Sequence, residues 1–108
     1  LFFTKSSGFP HSVVTRKNGE LAHAERLLTE FGGKAGYDVT CTKDGSIFTP
    51  DQLKAFDAVA FYTTGDLTTN GDRNHPKEDL GKTMPKDGPQ ALFDFVAKLT
   101  TFNPPKAA

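Results

Sequence analysis

The chain has 108 residues, with 13 basic and 13 acidic side chains and a formal net charge of zero, a length that suits one domain with one core. The balanced charge excludes the basic excess typical of proteins that bind nucleic acids or anionic membranes, so we expect neither partner. No apolar run approaches the roughly 20 residues of a membrane span. The single cysteine excludes an internal disulfide and leaves the compartment open.

The first predicted unit is a strand, a loop and a helix. Residues 1–4 form a short apolar run that favours a buried parallel strand, and residues 5–11 form a polar, glycine-containing loop. Asn18 is a candidate helix cap. Apolar residues then recur at helical spacing, and Gly32, Gly33 and Gly36 are expected to end the helix. The predicted apolar stripe comprises Leu21, Ala24, Leu27, Leu28, Phe31 and Ala35.

The second unit is a strand followed by a short helix. Residues 37–42 alternate between larger apolar and polar side chains, which predicts a half-covered edge strand. Thr49 is placed to cap a short helix, with Pro50 at its first position. Residues 57–63 then form a continuous apolar run, which predicts a third strand that is buried.

A polar segment separates this strand from the last helix. Residues 67–86 are rich in Gly, Asn and Pro and predict a long loop. His75, Glu78 and Asp79 lie in it without a recognised metal-ligand spacing, so we predict no metal site. Asp87 and Pro89 are predicted to open the helix, and Gln90 to close a capping box. The buried stripe of this helix is predicted to comprise Ala91, Leu92, Phe95, Val96 and Leu99.

The order of the elements predicts an α/β fold with an open parallel sheet. Because crossovers between parallel strands are right-handed, the expected strand order is 2-1-3, with helices on both faces. The loops that follow strands 1 and 3 then meet at one edge of the sheet, where such folds bind ligands. We expect one domain over residues 1–99 and an irregular tail over residues 100–108.

Several stretches resemble the ThuA-like (trehalose-utilisation) domain. They are residues 2–11 (F-F-T-K-S-S-G-F-P-H), 48–49 (F-T) with Leu53, 56–61 (F-D-A-V-A-F) and 63–66 (T-T-G-D). The resemblance extends from residue 1 to about Leu99. It implies a flavodoxin-like variant of the class I glutamine amidotransferase fold with a role in sugar metabolism.

The chain departs from this family in two places. Pro10 stands where the family commonly has an arginine. After the last helix the family continues into a fourth strand and a G-I-H-type turn, whereas this chain continues as T-T-F-N-P-P. The resemblance therefore implies an amino-terminal portion, truncated before strand 4. We expect an uncovered flank on the third strand, which favours self-association.

The candidate site residues lie in the two loops that are expected to meet. His11 is the candidate general acid/base, because its pKa normally lies near neutrality, and Asp66 would orient it or accept from a hydroxyl. The alternatives are a loop histidine that bonds only backbone and a turn aspartate that bonds its own backbone. The candidate ligand-binding residues are Lys5, Ser6, Gly8, Phe9, Thr64 and Gly65.

Three functional hypotheses remain open from the sequence. The first is a domain that binds a carbohydrate or polyol, as a possible part of a sugar-processing enzyme, without a cofactor. The second is a flavodoxin-like binder of a phosphorylated cofactor that uses the Ser6-Ser7-Gly8 loop. A flavin would also need aromatic side chains from later loops, and residues 67–86 contain none, which favours the sugar. The third is a non-catalytic fragment.

Overall fold

The computed structural model describes residues 1–69 and 81–101, and in its last helix the side chains up to Lys98. Residues 70–80, including His75, Glu78 and Asp79 of the predicted loop, lie outside this description, as does most of the predicted tail. The elements in chain order are β1 (Phe2–Phe3), α1 (His23–Lys34), β2 (Cys41–Thr42), α2 (Pro50–Leu53), β3 (Ala60–Phe61) and α3 (Gly88–Thr101). Two single-turn 3-10 helices span Ser12–Val14 and Gly45–Ile47.

The sheet has the predicted topology. Its three described strands are parallel and ordered β2-β1-β3, so β1 is central. Phe2 pairs with Cys41 on one side and with Ala60 on the other. An isolated parallel bridge between Ser6 and Thr64 continues the contact beyond β1 and β3. The α/β, flavodoxin-like arrangement predicted from the order of elements is therefore confirmed.

Helices cover both faces of the sheet, as predicted. On one face Phe3 is fully buried in the main apolar core, where its ring meets that of Phe48 edge-on at 4.8 Å. On the other face the hydroxyl of Thr4 donates to Glu25 of α1. Because successive side chains of a strand point to opposite faces, these two neighbours attach β1 to both layers. The core around Phe3 comprises Phe48, Leu53, Met84 and Ala91.

All three strands are shorter than predicted. The predictions of strands over residues 1–4, 37–42 and 57–63 are wrong in length, since each regular strand has two residues. Ladder bonds join Phe2 N to Thr40 O and Ala60 N to Leu1 O, at the start of β1. The terminal amine of Leu1 also donates to Ala58 O at 3.0 Å, outside the regular ladder of β3. Alternation and hydropathy indicate extended chain, but pairing requires a partner.

The third strand is not buried, contrary to the prediction. Ala60 is exposed, and Phe61 retains 42% of its accessible surface although its ring is parallel to that of Phe48, with the centroids 6.1 Å apart. The cause is position, because β3 is an edge strand of the described sheet, whereas the apolar run is typical of a central one. Self-association through this edge stays a prediction.

The first helix differs from its prediction at its start and on its face. Asn18 does not cap it, because Asn18 and Gly19 both have positive φ (55° and 74°) and form a turn. The helix begins after Ala22. Of the predicted stripe, Leu27 and Leu28 each retain 37% and Phe31 retains 58% of the accessible surface, while Glu25 is fully buried. Hydrophobic spacing located the helix but not the side chain that anchors it.

The other two helices follow their start signals more closely. The hydroxyl of Thr49 accepts from Gln52 N, and Pro50 opens α2, as predicted. In α3 Gln90 does not form the predicted capping box; the contact made by its side-chain amide is a hydrogen bond to Asp94 Oδ1, one turn later. Val96 is exposed, contrary to the predicted stripe. Ala91, Leu92 and Phe95 do pack on the core, and the helix continues to Thr101, within the predicted tail.

Within the described part of the chain, no helix combines the length and apolar character that a membrane crossing needs.

The core around Phe3 gives a direct test of the packing. Phe3→Ala removes a ring that contacts both Phe48 and Phe61, so it should lower the free energy of unfolding by about 3–5 kcal/mol. Phe93→Ala, at a side chain that is 67% exposed, should change it by less than about 0.5 kcal/mol. Urea unfolding followed by circular dichroism measures both. Equal losses would contradict this core.

Candidate functional site

The site is built from two loops that leave the carboxyl ends of neighbouring strands. We define loop 1 as residues 5–11, after β1, and loop 3 as residues 63–66, after β3. The carbonyl of Thr64 accepts from the backbone N–H groups of Ser7 and Gly8 at 2.8 and 3.0 Å. The Thr64 hydroxyl donates to Phe9 O at 2.9 Å. The convergence expected from the strand order is thus realised as a hydrogen-bonded junction.

Two glycines make this junction possible. Gly65 has a φ of 76°, and a Cβ on it would lie 2.5 Å from Gly8 N. A Cβ on Gly8 would lie 3.3 Å from Gly65 N and from the Thr64 side chain. The backbones of the two loops therefore approach too closely for side chains. Gly8 and Gly65, predicted as ligand contacts, join loop 1 to loop 3.

His11 lies at the exposed end of loop 1, beside two aromatic rings. It immediately precedes the turn Ser12–Val14, and its carbonyl accepts from Val14 N. Its ring centroid is 5.1 Å from that of Phe9 and 6.0 Å from that of Tyr62, both in edge-on geometry. Tyr62 was not singled out from the sequence. Its place directly before loop 3 is the signal that could have identified it.

Asp66 forms a local turn at the end of loop 3. Its Oδ1 accepts from both the backbone N–H and the hydroxyl of Thr68, at 2.9 and 2.7 Å. These bonds, first the hydroxyl and then the N–H, lower the pKa of the exposed carboxyl, so it is ionised near neutral pH. No hydrogen bond joins this carboxylate to His11, although the structure describes both residues. The geometry is that of the turn aspartate considered as the alternative.

Two of the predicted ligand-binding residues, Lys5 and Ser6, do not reach the surface of the described structure. Both are buried, and the Lys5 ammonium donates to Gly81 O at 2.8 Å. Burial is the main cause that lowers the pKa of this ammonium; nearby Asp44 opposes the effect and Lys43 adds to it. The segment 81–84 thus lies over the base of loop 1. Lys5 ties that segment to the sheet.

A buried ionic network around Thr4, the residue before loop 1, was not found from the sequence. The fully buried carboxylate of Glu25 accepts four hydrogen bonds. Arg16 donates two of them, from Nε at 2.9 Å and from Nη2 at 2.8 Å. Ala22 N donates the third at 2.9 Å, and the Thr4 hydroxyl the fourth at 3.2 Å. The network joins the strand β1, the start of α1 and the segment before it.

Lys43 completes this network from the end of β2. Its buried ammonium donates to the carbonyl and hydroxyl of Thr4, at 2.9 and 3.0 Å, and to Val14 O. The Thr4 hydroxyl therefore accepts from a cation and donates to an anion. One sequence signal existed, because Glu25 lies four residues after Leu21 and three before Leu28, on the line of the predicted apolar stripe.

Burial and the surrounding charges shift the pKa of the Glu25 carboxyl in opposite directions. Burial alone would raise the pKa of this carboxyl. The hydrogen bonds from Arg16 and Ala22 and the charges of Arg16 and Lys43 outweigh burial, and the net pKa is lowered. Glu25 is therefore an anion at neutral pH, held between two cations.

The comparisons with known proteins add no relative: no family model, no curated protein and no solved structure matches this chain. Over residues 1–69 and 81–101, no three His, Cys, Asp or Glu side chains are grouped so that they could hold a metal ion.

The junction between the loops can be tested with two glycines of nearly equal φ. Gly19→Ala, at φ 74° with open space around it, should cost about 1–2 kcal/mol of unfolding free energy from backbone strain alone. Gly65→Ala, at φ 76°, should cost about 1–3 kcal/mol more, because its Cβ meets the backbone of Gly8. Denaturant unfolding measures the difference. Equal costs would show that the loops do not touch as described.

The buried carboxylate predicts a pH dependence with a definite sign. The folded-state pKa of Glu25 is lowered from about 4.5, so its stabilisation is present above that value and is lost as pH falls below it. Glu25→Gln should cost about 3 kcal/mol or more at pH 7, because it breaks a buried pair, and should flatten the acid limb of stability against pH. Glu30→Gln removes an exposed pair with Lys34 on the same helix. It should change the stability at pH 7 and the acid limb only slightly.

Proposed function

We propose that this chain is a ThuA-like domain that binds a carbohydrate or polyol at the carboxyl edge of its sheet, between loop 1 and loop 3. The observation that carries the proposal is the junction at Thr64, which accepts from two loop 1 amides and donates to Phe9 O. Because of it, residues that follow two different strands form one continuous surface. The parallel fold is the architecture in which such an edge binds ligands.

The chemistry of this surface suits a ligand that is rich in hydroxyl groups and apolar on one face. Phe9 is 71% exposed and Tyr62 is partly exposed, and both rings lie beside that of His11. Flat aromatic surface of this kind suits the C–H face of a sugar ring. The ionised carboxylate of Asp66 and the imidazole of His11 provide acceptors and donors for hydroxyls. His11 as a general acid/base remains part of the same proposal.

The phosphorylated-cofactor alternative has weaker support in this geometry. A phosphate loop presents free backbone N–H groups to its anion. Here Ser7 N and Gly8 N donate to Thr64 O, the Ser7 hydroxyl donates to Thr69 O, and the Lys5 ammonium donates to Gly81 O. An anion would have to displace these protein acceptors. A polyol needs none of them, because it can use the exposed groups.

The proposal is tested by titrating the ¹⁵N-labelled chain with glucose, trehalose and myo-inositol, and separately with inorganic phosphate. A small polyol should give saturable shifts of the Gly8 and Gly65 amides with a Kd on the order of millimolar. Tyr62→Ala should weaken binding by about threefold to tenfold through lost ring contact. Tyr37→Ala is the matched control, since Tyr37 is exposed before β2, at the opposite edge of the sheet.

The outcomes separate the hypotheses. Saturable binding of phosphate alone at loop 1 would favour the cofactor alternative. No saturable shift at either loop with any of the four compounds would reject the proposed function, and equal effects of the two tyrosine variants would reject this location.

A further inference from the structure

Lys43 is a buried cation outside the surface proposed for the ligand. It is 4% exposed and follows β2, yet its ammonium reaches across to β1 and to the turn Ser12–Val14. Two of its hydrogen bonds go to Thr4 and one to Val14 O. An ammonium has three N–H donors and no acceptor, so oxygen acceptors such as these suit it. Its contacts therefore join the end of the central strand to the segment that follows loop 1.

Burying a cation in this position destabilises the fold unless its contacts offset the loss of hydration. Removing an ammonium from water carries a large desolvation penalty, and an apolar side chain of similar volume often gives equal or better stability. Glu25 offsets part of the cost through the hydroxyl of Thr4, which bridges Lys43 and Glu25. Apolar packing could also bring β1 and the turn together. It would not specify which carbonyl faces the strand, whereas a hydrogen-bonded ammonium does.

The turn held by Lys43 is the one that carries His11. Val14 O accepts from Lys43, while Val14 N donates to His11 O, so one residue links the ammonium to the histidine. The Thr15 hydroxyl also donates to His11 O at 2.9 Å. The His11 ring in turn contacts the rings of Phe9 and Tyr62 edge-on. A shift of the turn would withdraw the ring from these partners.

We propose that Lys43 is the positioning residue of the site: its buried ammonium holds the turn Ser12–Val14 against the end of β1 and thereby fixes the His11 ring beside Phe9 and Tyr62. The proposal about the ring stands on geometry alone. Its consequence for ligand affinity rests on the proposed function.

The test follows the His11 ring protons by ¹H–¹³C NMR in wild type and in Lys43→Met, which keeps much of the chain length and removes all three donors. His11 signals are assigned with His11→Gln. In wild type they should be displaced by the rings of Phe9 and Tyr62. In Lys43→Met they should move toward the positions of His23, the exposed first residue of α1, while the α3 amides stay unchanged. Glucose affinity should fall by about tenfold or more.

A control separates positioning from stability. Leu53→Val creates a cavity in the core on the other face of the sheet and lowers stability without touching the turn. It should leave the His11 signals where they are in wild type. If Lys43→Met does not fold, Thr4→Val replaces it, because it removes the bridging hydroxyl and one acceptor of Lys43 while keeping the shape of the side chain. It should displace the His11 signals in the same direction by a smaller amount.

Each outcome has one interpretation. Unchanged His11 signals in folded Lys43→Met, or in Thr4→Val when that variant is used, overturn the positioning role. The same displacement in Leu53→Val also overturns it, because any destabilisation would then suffice. Displaced His11 signals with unchanged glucose affinity support the positioning role and count against the proposed function, so the two failures are distinguishable.

Discussion

The structure depends on how a very short central strand is anchored. Regular pairing on β1 covers only Phe2–Phe3, and two paired residues cannot specify a sheet by their ladder bonds alone. The anchoring comes from the side chains of two successive residues. Phe3 enters an apolar core on one face, and Thr4 enters an ionic network on the other. The strand is thus held by apolar packing on one side and by directional bonds on the other.

This division explains which parts of the fold the sequence predicts. Apolar runs and helical spacing indicate where elements lie, and the handedness of crossovers then leaves the order 2-1-3. The predicted start of α2 at Thr49 and Pro50 is confirmed, because it depends only on residues that are neighbours in the chain. Strand length and burial are not local properties. Phe61 belongs to an apolar run, but it lies on an edge strand and remains partly exposed.

The site was predictable where it follows from topology and not where it follows from tertiary contacts. Adjacent parallel strands bring loop 1 and loop 3 together, whatever their side chains are. Which side chains face outward is decided by contacts between distant residues. Lys5 lies in a loop that looks like an anion-binding loop, yet it is buried beneath Gly81. Lys43 sits in an ordinary polar sequence, and only the fold shows that it reaches Val14.

The two layers differ in what they contribute to function. An apolar core tolerates small rearrangements of its side chains, because dispersion contacts have little directional preference. The network of Arg16, Glu25, Thr4 and Lys43 does not, since each hydrogen bond needs its partner at a defined distance and angle. Loop 1 begins directly after Thr4 of that network and ends at His11, the residue before the turn that Lys43 holds. The directional layer is therefore on the side of the sheet where the position of a side chain matters most, and the apolar layer supplies the stability that buried charges do not.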